Sequence, residues 1–307
     1  MRVVYAGTPD IAVPSLDALV ESRHELLAVV TRPDAPSGRG KRLSASPVAD
    51  RAAELGLETL KPQRPRDEDF QARLVELAPD CCPVVAYGAL LPQRLLDVPP
   101  QGWVNLHFSL LPAWRGAAPV QHAILSGDEV TGATTFRIVL ELDAGPTFAA
   151  IEEPIGSTDT AGDVLQRLAI RGAGLLVRTL DGIEDGTLAA QPQPEAEVSY
   201  ASKINVSDAM IEWSQPADVI DRLIRGCAPA PGAWTTFGGE RFKINSARVA
   251  AHHLPPGVLE IGKKSVHVGT STRTLELGQV QAQGKKSMPA ADWARGINFG
   301  DQPMLGS

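Results

Sequence analysis

With 307 residues, 43% hydrophobic and 21% charged, the chain is long enough for two domains with their own cores and too apolar for wholesale disorder. Its formal net charge of −7, from 36 acidic and 29 basic side chains, excludes a protein coated in positive charge but leaves room for a local basic patch. No run reaches the roughly 18 apolar residues of a membrane span, and the N-terminus lacks signal-peptide regions. Cys81, Cys82 and Cys227 form no disulfide framework, so a reducing cytoplasm is the expected compartment.

In chain order, residues 2–6 (RVVYA), 26–31 (LLAVVT), 83–87 (PVVAY) and 103–107 (WVNLH) read as strands, short and continuously apolar as strands buried on both faces are. Helical patterns alternate with them. Ser46-Pro47 is a cap followed by proline at the first helical position and opens a helix over 48–55. Residues 67–77 and 118–125 carry apolar side chains at helical spacing. A longer helix over 162–180 lines up Leu165, Leu168, Leu175, Leu176, Thr179 and Leu180. The alternation predicts an α/β fold with an open, doubly wound, mostly parallel sheet. Residues 189–197 (AAQPQPEAE) have the composition of an extended linker. After a helix over 217–226, β-type runs follow at 233–237, 241–249, 258–261, 265–268 and 274–283. Their close glycine and proline punctuation predicts a small β-barrel or sandwich. The expected division is 1–189, a linker over 190–206, and 207–307.

The densest chemical signal lies between Val104 and Gln121. Asn105 and His107, two apart near the end of a predicted strand, leave the same face, where ligands of open parallel sheets collect. Further on, Leu142-Asp143-Ala144-Gly145-Pro146 places a carboxylate at an abrupt turn. An amide, an imidazole and a carboxylate can share one acyl transfer. The amide donates to a developing oxyanion and the imidazole handles protons. The carboxylate fixes the imidazole's tautomer or stabilises its cation. Spacing alone does not separate this trio from a structural Asn-x-His and an ordinary turn.

Arg32, Arg39, Lys41 and Arg42 gather four cations in a glycine-rich stretch, either a solvated loop or a phosphate-facing patch. Gly7-Thr8-Pro9 is no dinucleotide fingerprint and reads as a tight turn lining the site. His252-His253 lacks partner ligands at metal-site spacing, and the cysteines form no Cys-x-x-Cys pair, so no metal is expected.

Asn105-Leu106-His107-Phe108-Ser109-Leu110-Leu111-Pro112 with Arg115-Gly116-Ala117-Ala118-Pro119 resembles the signature of the folate-dependent formyltransferases, and Leu142-Asp143-Ala144-Gly145 resembles their second motif. Ala6-Gly7-Thr8-Pro9-Asp10, Thr31-Arg32-Pro33-Asp34, Gly38-Arg39-Gly40-Lys41-Arg42-Leu43, Val85-Ala86-Tyr87-Gly88, Tyr200-Ala201-Ser202-Lys203-Ile204, Ile211-Glu212-Trp213 and Pro229-Ala230-Pro231-Gly232-Ala233 extend the likeness over nearly the whole chain. They point to the branch whose acceptor is the α-amine of initiator methionyl-tRNA. The resemblance implies a Rossmann-like catalytic domain followed by a barrel of OB type that binds tRNA. It implies Asn105, His107 and Asp143 as the catalytic trio, and 10-formyltetrahydrofolate as formyl donor. Ser109, Leu110, Leu111 and Pro112, with Tyr87 and Gly88, become walls of the reduced-folate pocket. The loop carrying Arg39, Lys41 and Arg42 becomes a contact to the tRNA acceptor end. A monomeric cytoplasmic enzyme of translation initiation, needing no metal, completes the expectation.

Three positions depart from the family pattern. Phe108 replaces a small residue or proline beside His107, Ile11 replaces an aromatic, and Ala201-Ser202 replaces Ala-Pro. The alternatives are a formyltransferase acting on a small amine (glycinamide ribonucleotide or a sugar nucleotide), a hydrolase with water as acceptor, and a non-catalytic folate-responsive RNA-binding protein. The basic loop and second domain weigh against the small amine, and the intact trio weighs against the non-catalytic reading.

Overall fold

Continuous apolar strands need cover on both faces, and that requirement shapes the first half of the chain. The computed structural model describes residues 1–37, 42–299 and 303–306, with the backbone alone at Ser37. Two compact units result. The first comprises Met1–Gly116, Thr131–Pro154 and Leu165–Tyr200, and the second Ala117–Val130, Ile155–Val164 and Ala201–Ser307.

The first unit is built on a seven-stranded sheet. Its strands are β1 (Arg2–Gly7), β2 (Glu25–Val30), β3 (Thr59–Leu60), β4 (Cys82–Val85), β5 (Trp103–His107), β6 (Val130–Arg137) and β7 (Thr147–Pro154). The order across the sheet is β7-β6-β5-β4-β1-β2-β3. The pairs β1–β2, β2–β3, β1–β4 and β4–β5 are parallel, whereas β5–β6 is antiparallel. This is the expected mostly parallel α/β sheet. Alternation along the strands divides the cover. Val4, Ala6, Val84 and Trp103 pack with Phe70, Leu74 and Leu77 of α3 (Glu68–Leu77). Leu106 points the other way and meets Gly172 of a helix spanning Ala161–Glu184. Helices α1 (Val13–Val20) and α2 (Pro47–Glu54) complete the unit, and the Ser46 hydroxyl caps α2 by accepting from Ala49 N at 3.1 Å.

In the second unit, α4 (Pro119–Ser126) packs on α6 (Ala217–Gly226), α5 being the Ala161–Glu184 helix. Two four-stranded sheets follow. Their strands are β8 (Trp234–Phe237), β9 (Glu240–Ile244), β10 (Ala247–Ala250), β11 (Leu259–Ile261), β12 (Val266–Gly269), β13 (Thr274–Leu277), β14 (Gln279–Ala282) and β15 (Met288–Pro289). One sheet runs β8-β9-β14-β15, the other β10-β13-β12-β11, with antiparallel neighbours throughout. The runs expected at 241–249 and 274–283 are therefore each two strands. They bend side by side at Asn245-Ser246 and Gly278, where Gly278 N donates to Ser246 O at 2.9 Å and Asn245 N to Gln279 O at 2.8 Å. Each run thus serves both sheets through a corner. Phe242, Ile244, Val266, Leu275, Val280 and Trp293 fill the core they share with Ile220 and Ile224 of α6.

Candidate active site

Parallel pairing sets the carboxyl ends of β1, β4 and β5 along one edge of the first unit, with Gly7 opposite Val85 and Val84 opposite Asn105. Asn105 is half-buried there, and its amide has no hydrogen-bond partner among the described residues. His107 is 6% exposed. Its Nε2 lies 2.9 Å from the Trp114 carbonyl oxygen. A carbonyl only accepts, so Nε2 carries the proton and donates. Nδ1 then faces Asp143 Oδ2 at 3.8 Å, beyond hydrogen-bond length. The tautomer is thus selected by Trp114, and Asp143 is placed to favour a proton arriving on Nδ1. Burial pushes the His107 imidazole down, against the upward pull of Asp143 and of the Trp114 carbonyl.

Both partners of His107 sit on left-handed backbone, Trp114 at φ 60° and Asp143 at φ 48°. Such conformations persist only where neighbours over-determine them. Trp114 N donates to Ser199 Oγ at 2.9 Å, and Arg115 N donates to Ser199 O at 2.9 Å. Asp143 Oδ2 accepts from Gly116 N at 2.8 Å. The Gln193 amide donates to the carbonyls of Asp143 and Gly145, both at 2.8 Å, while its own Oε1 accepts from Arg115 at 2.8 and 3.1 Å. Gly145 closes the turn against β6, where a Cβ would lie 1.8 Å from the Arg137 carbonyl oxygen. Trp114, Gln193 and Ser199 escape a sequence reading: one acts through its main chain, and the others lie in or beside the stretch whose composition reads as linker.

The segments expected to line a folate pocket surround this edge. Ser109 is fully buried, its hydroxyl donating to Ala113 O within its own turn at 2.6 Å and its carbonyl accepting from Thr134 Oγ1 of β6 at 2.7 Å. Leu111 N donates to Thr134 Oγ1 at 3.2 Å, and the Leu111–Pro112 bond is cis. Leu110 and Leu111 stay half-buried, whereas Pro112 is buried. Phe108, the departure beside His107, is turned inward and only 6% exposed. Tyr87 is buried, its carbonyl accepts from Thr8 Oγ1 at 2.8 Å, and its hydroxyl has no partner among the described residues. Burial raises its phenol pKa. Gly88 follows, exposed, at φ +82°. Arg42 is exposed on Arg42–Ser44, which pairs with Ala35–Ser37; Arg39 and Lys41 lie outside the described residues. The three thiols are buried and unpaired, with burial pushing Cys81 up to about 12 and Cys227 up to about 11, so none is poised as a nucleophile.

An amide donor, a buried imidazole and a carboxylate on one strand edge fit acyl transfer to a nucleophile brought from solution. Residues 1–180 match the formyl transferase family, and residues 203–298 match the C-terminal domain of formyl transferases. A methionyl-tRNA formyltransferase from Nocardioides sp. is 65% identical over 303 residues, covering 97% of this chain and 96% of that protein. Another from Streptomyces griseus is 62% identical over 309 residues, covering 100% of both. A solved N-formyltransferase from Helicobacter canadensis, in complex with folinic acid and dTDP-3-aminofucose, superposes with a TM-score of 0.69 at 18% identity over 91% of this chain and 98% of that one, a likeness of fold. Similarity at this level along the full length of both proteins decides the matter: the chain belongs to the methionyl-tRNA formyltransferase family, and it is a formyl-transferring enzyme.

Proposed function

We propose that this chain moves a formyl group from 10-formyltetrahydrofolate to the α-amine of methionyl-tRNA(fMet), supplying the initiator for translation. The observation that carries the mechanism is His107, buried between the Trp114 carbonyl and Asp143, two residues along β5 from the unpartnered Asn105 amide. Asn105 donates to the formyl oxygen as the amine attacks and negative charge develops there. His107 takes the amine's proton at Nδ1, where Asp143 stabilises the cation. The bond from the formyl carbon to the folate N10 then breaks, and the proton passes to N10. Formylated methionyl-tRNA and tetrahydrofolate result. Ser109, Leu110, Leu111, Pro112, Tyr87 and Gly88 wall the folate. None of these steps calls on a metal.

Residues 1–189 carry the chemistry, 190–206 link, and 207–307 hold the acceptor arm, with Arg39, Lys41 and Arg42 adding phosphate contacts. The enzyme works as a monomer in the cytoplasm. A turnover assay with labelled formyl donor, offering charged initiator tRNA, free methionine and water as acceptors, tests the reading. Label arriving on the tRNA at a far greater kcat/KM than on the other two supports it. Equal use of water, or preference for a small amine, overturns it.

A further inference from the structure

Along the chain, His252 has no partner at metal-ligand spacing, but antiparallel pairing supplies two. Glu260 of β11 stands opposite His267 of β12, and His267 stands opposite Glu276 of β13, so the three form a row across adjacent strands. His252 follows β10, and its carbonyl accepts from Thr274 N at 3.0 Å, which folds its ring over the same row. The rings of His252 and His267 lie 4.7 Å apart, centroid to centroid. One ligand atom from each of His252, Glu260 and His267 falls within 4.8 Å of the others.

We propose that His252, Glu260 and His267 bind one divalent transition-metal ion of the zinc type on the face of the second unit. Two imidazoles and a carboxylate suit zinc, copper or nickel and suit magnesium poorly. Zinc holds nitrogen and oxygen ligands at about 2.1 Å, so neighbouring corners of its tetrahedron lie about 3.4 Å apart. His252 Nε2 and Glu260 Oε2 already stand at 3.5 Å. The outer contacts also suit ligation. His252 Nδ1 lies 3.4 Å from the Thr274 hydroxyl, leaving Nε2 for the ion, and Glu276 Oε2 lies 3.7 Å from His267 Nε2. Of the two, the Thr274 hydroxyl is within hydrogen-bond reach, and such an outer group orients a ligating imidazole. Glu276 itself is engaged by Arg248 at 2.7 and 2.9 Å, so it serves beside the site and not as a ligand. The side chains of His252 and Glu260 are 42% and 56% exposed, so the ion enters freely and keeps a position for water. An ion held there fastens the segment after β10 to β11 and β12.

The full chain, stripped with a chelator, would be titrated with Zn²⁺ by calorimetry and melted with and without it. One Zn²⁺ should bind per chain, raise the melting temperature and resist competition by Mg²⁺. His252→Asn and His267→Gln should each weaken binding at least roughly 10–100-fold, the loss already caused by removing an outer-shell partner. His253→Asn, which alters the neighbouring histidine, should bind as the parent does. So should His24→Gln, which removes a separate group formed by His24, Asp181 and Glu184. Metal-free melting curves show whether each variant folds, and exposed His252 carries the test if His267→Gln does not. No uptake by the parent, parent-like binding by His252→Asn, or loss of binding in His253→Asn or His24→Gln would overturn the site.

Discussion

At His107, burial and a facing carboxylate pull the imidazole in opposite directions, and burial prevails. Replacing Asp143 by Asn keeps an oxygen for Gly116 N but removes the charge that raises His107. The acid limb of kcat/KM should then move to lower pH while its plateau falls. An unmoved limb would separate Asp143 from the titrating group. His107→Gln and Asn105→Ala should each cost about 10²–10³ in kcat in a folded protein with ordinary folate affinity. The same burial enters stability. An unfolded imidazole titrates near about 6.5, whereas folded His107 titrates lower. Between the two values the unfolded chain binds more protons, so stability rises with pH there and is lost as pH falls. His24, lowered chiefly by burial, acts with the same sign. His107→Gln should flatten part of the acid side of the stability curve in urea titrations across pH. An unchanged slope would mean that His107 does not titrate there. The proposed trio can be named from sequence because motif and strand end coincide. The groups that orient it are not, since a Trp114 carbonyl has no side-chain signature and Gln193 sits in a proline-rich polar stretch.

Among the elements, β1, β2, β4 and β5 announce themselves as apolar runs, and β5 spans the five residues expected of it. Strands β6 and β7 do not. Buried Thr131, Thr134 and Thr135 break the apolar run of β6; two of them use their hydroxyls, Thr134 Oγ1 donating to Ser109 O and Thr135 Oγ1 meeting Thr179 Oγ1 of α5 at 2.8 Å, whereas Thr131 Oγ1 has no partner among the described residues. Corners hide for a related reason, since Asn245-Ser246 and Gly278 change the partner sheet without interrupting the β pattern. Helix α5 gives a test by opposite signs. A Cβ on Gly172 would meet the Leu106 side chain at 2.8 Å, whereas one on Gly174 would meet only the flexible end of Arg178 at 3.2 Å. Gly172→Ala should destabilise by about 1–3 kcal/mol through overpacking against β5. Gly174→Ala should stabilise by about 0.5–1 kcal/mol through better helix propensity. Urea midpoints of the two variants, read against the parent, decide. Equal shifts of the same sign would show that α5 does not press on Leu106 at Gly172.

On the scale of the whole molecule, a net charge of −7 repels nucleic acid, so tRNA use must lean on local cations. Removing Arg39, Lys41 and Arg42 together should lower the slope of log(kcat/KM) for tRNA against log[salt] by about 0.9 for each duplex phosphate no longer neutralised, or about 0.7 on a single strand. An unchanged slope would return the loop to solvent. The two units also interleave along the chain: residues 117–130 and 155–164 precede position 200 yet belong with residues 201–307. Gly226 of α6 lies where a Cβ would meet Leu125 of α4 at 3.0 Å, Gly162 N donates to Ala228 O at 3.1 Å, and Arg225 Nη1 donates to Asp159 O at 3.1 Å. A fragment ending at Tyr200 keeps Gln193 and Ser199 but strips these partners from α4 and from 155–164. It should therefore melt below the full chain and bind an apolar dye, although the groups assigned to chemistry all precede the cut. Leu125→Lys discriminates this from a general effect of truncation. In the full chain it removes an apolar contact with α6 and should lower the melting temperature. In the fragment the same side chain faces water, so the change should cost nothing and reduce dye binding. A fragment that melts with the full chain, or Leu125→Lys acting equally in both, would mean that α4 owes no stability to the second half of the chain.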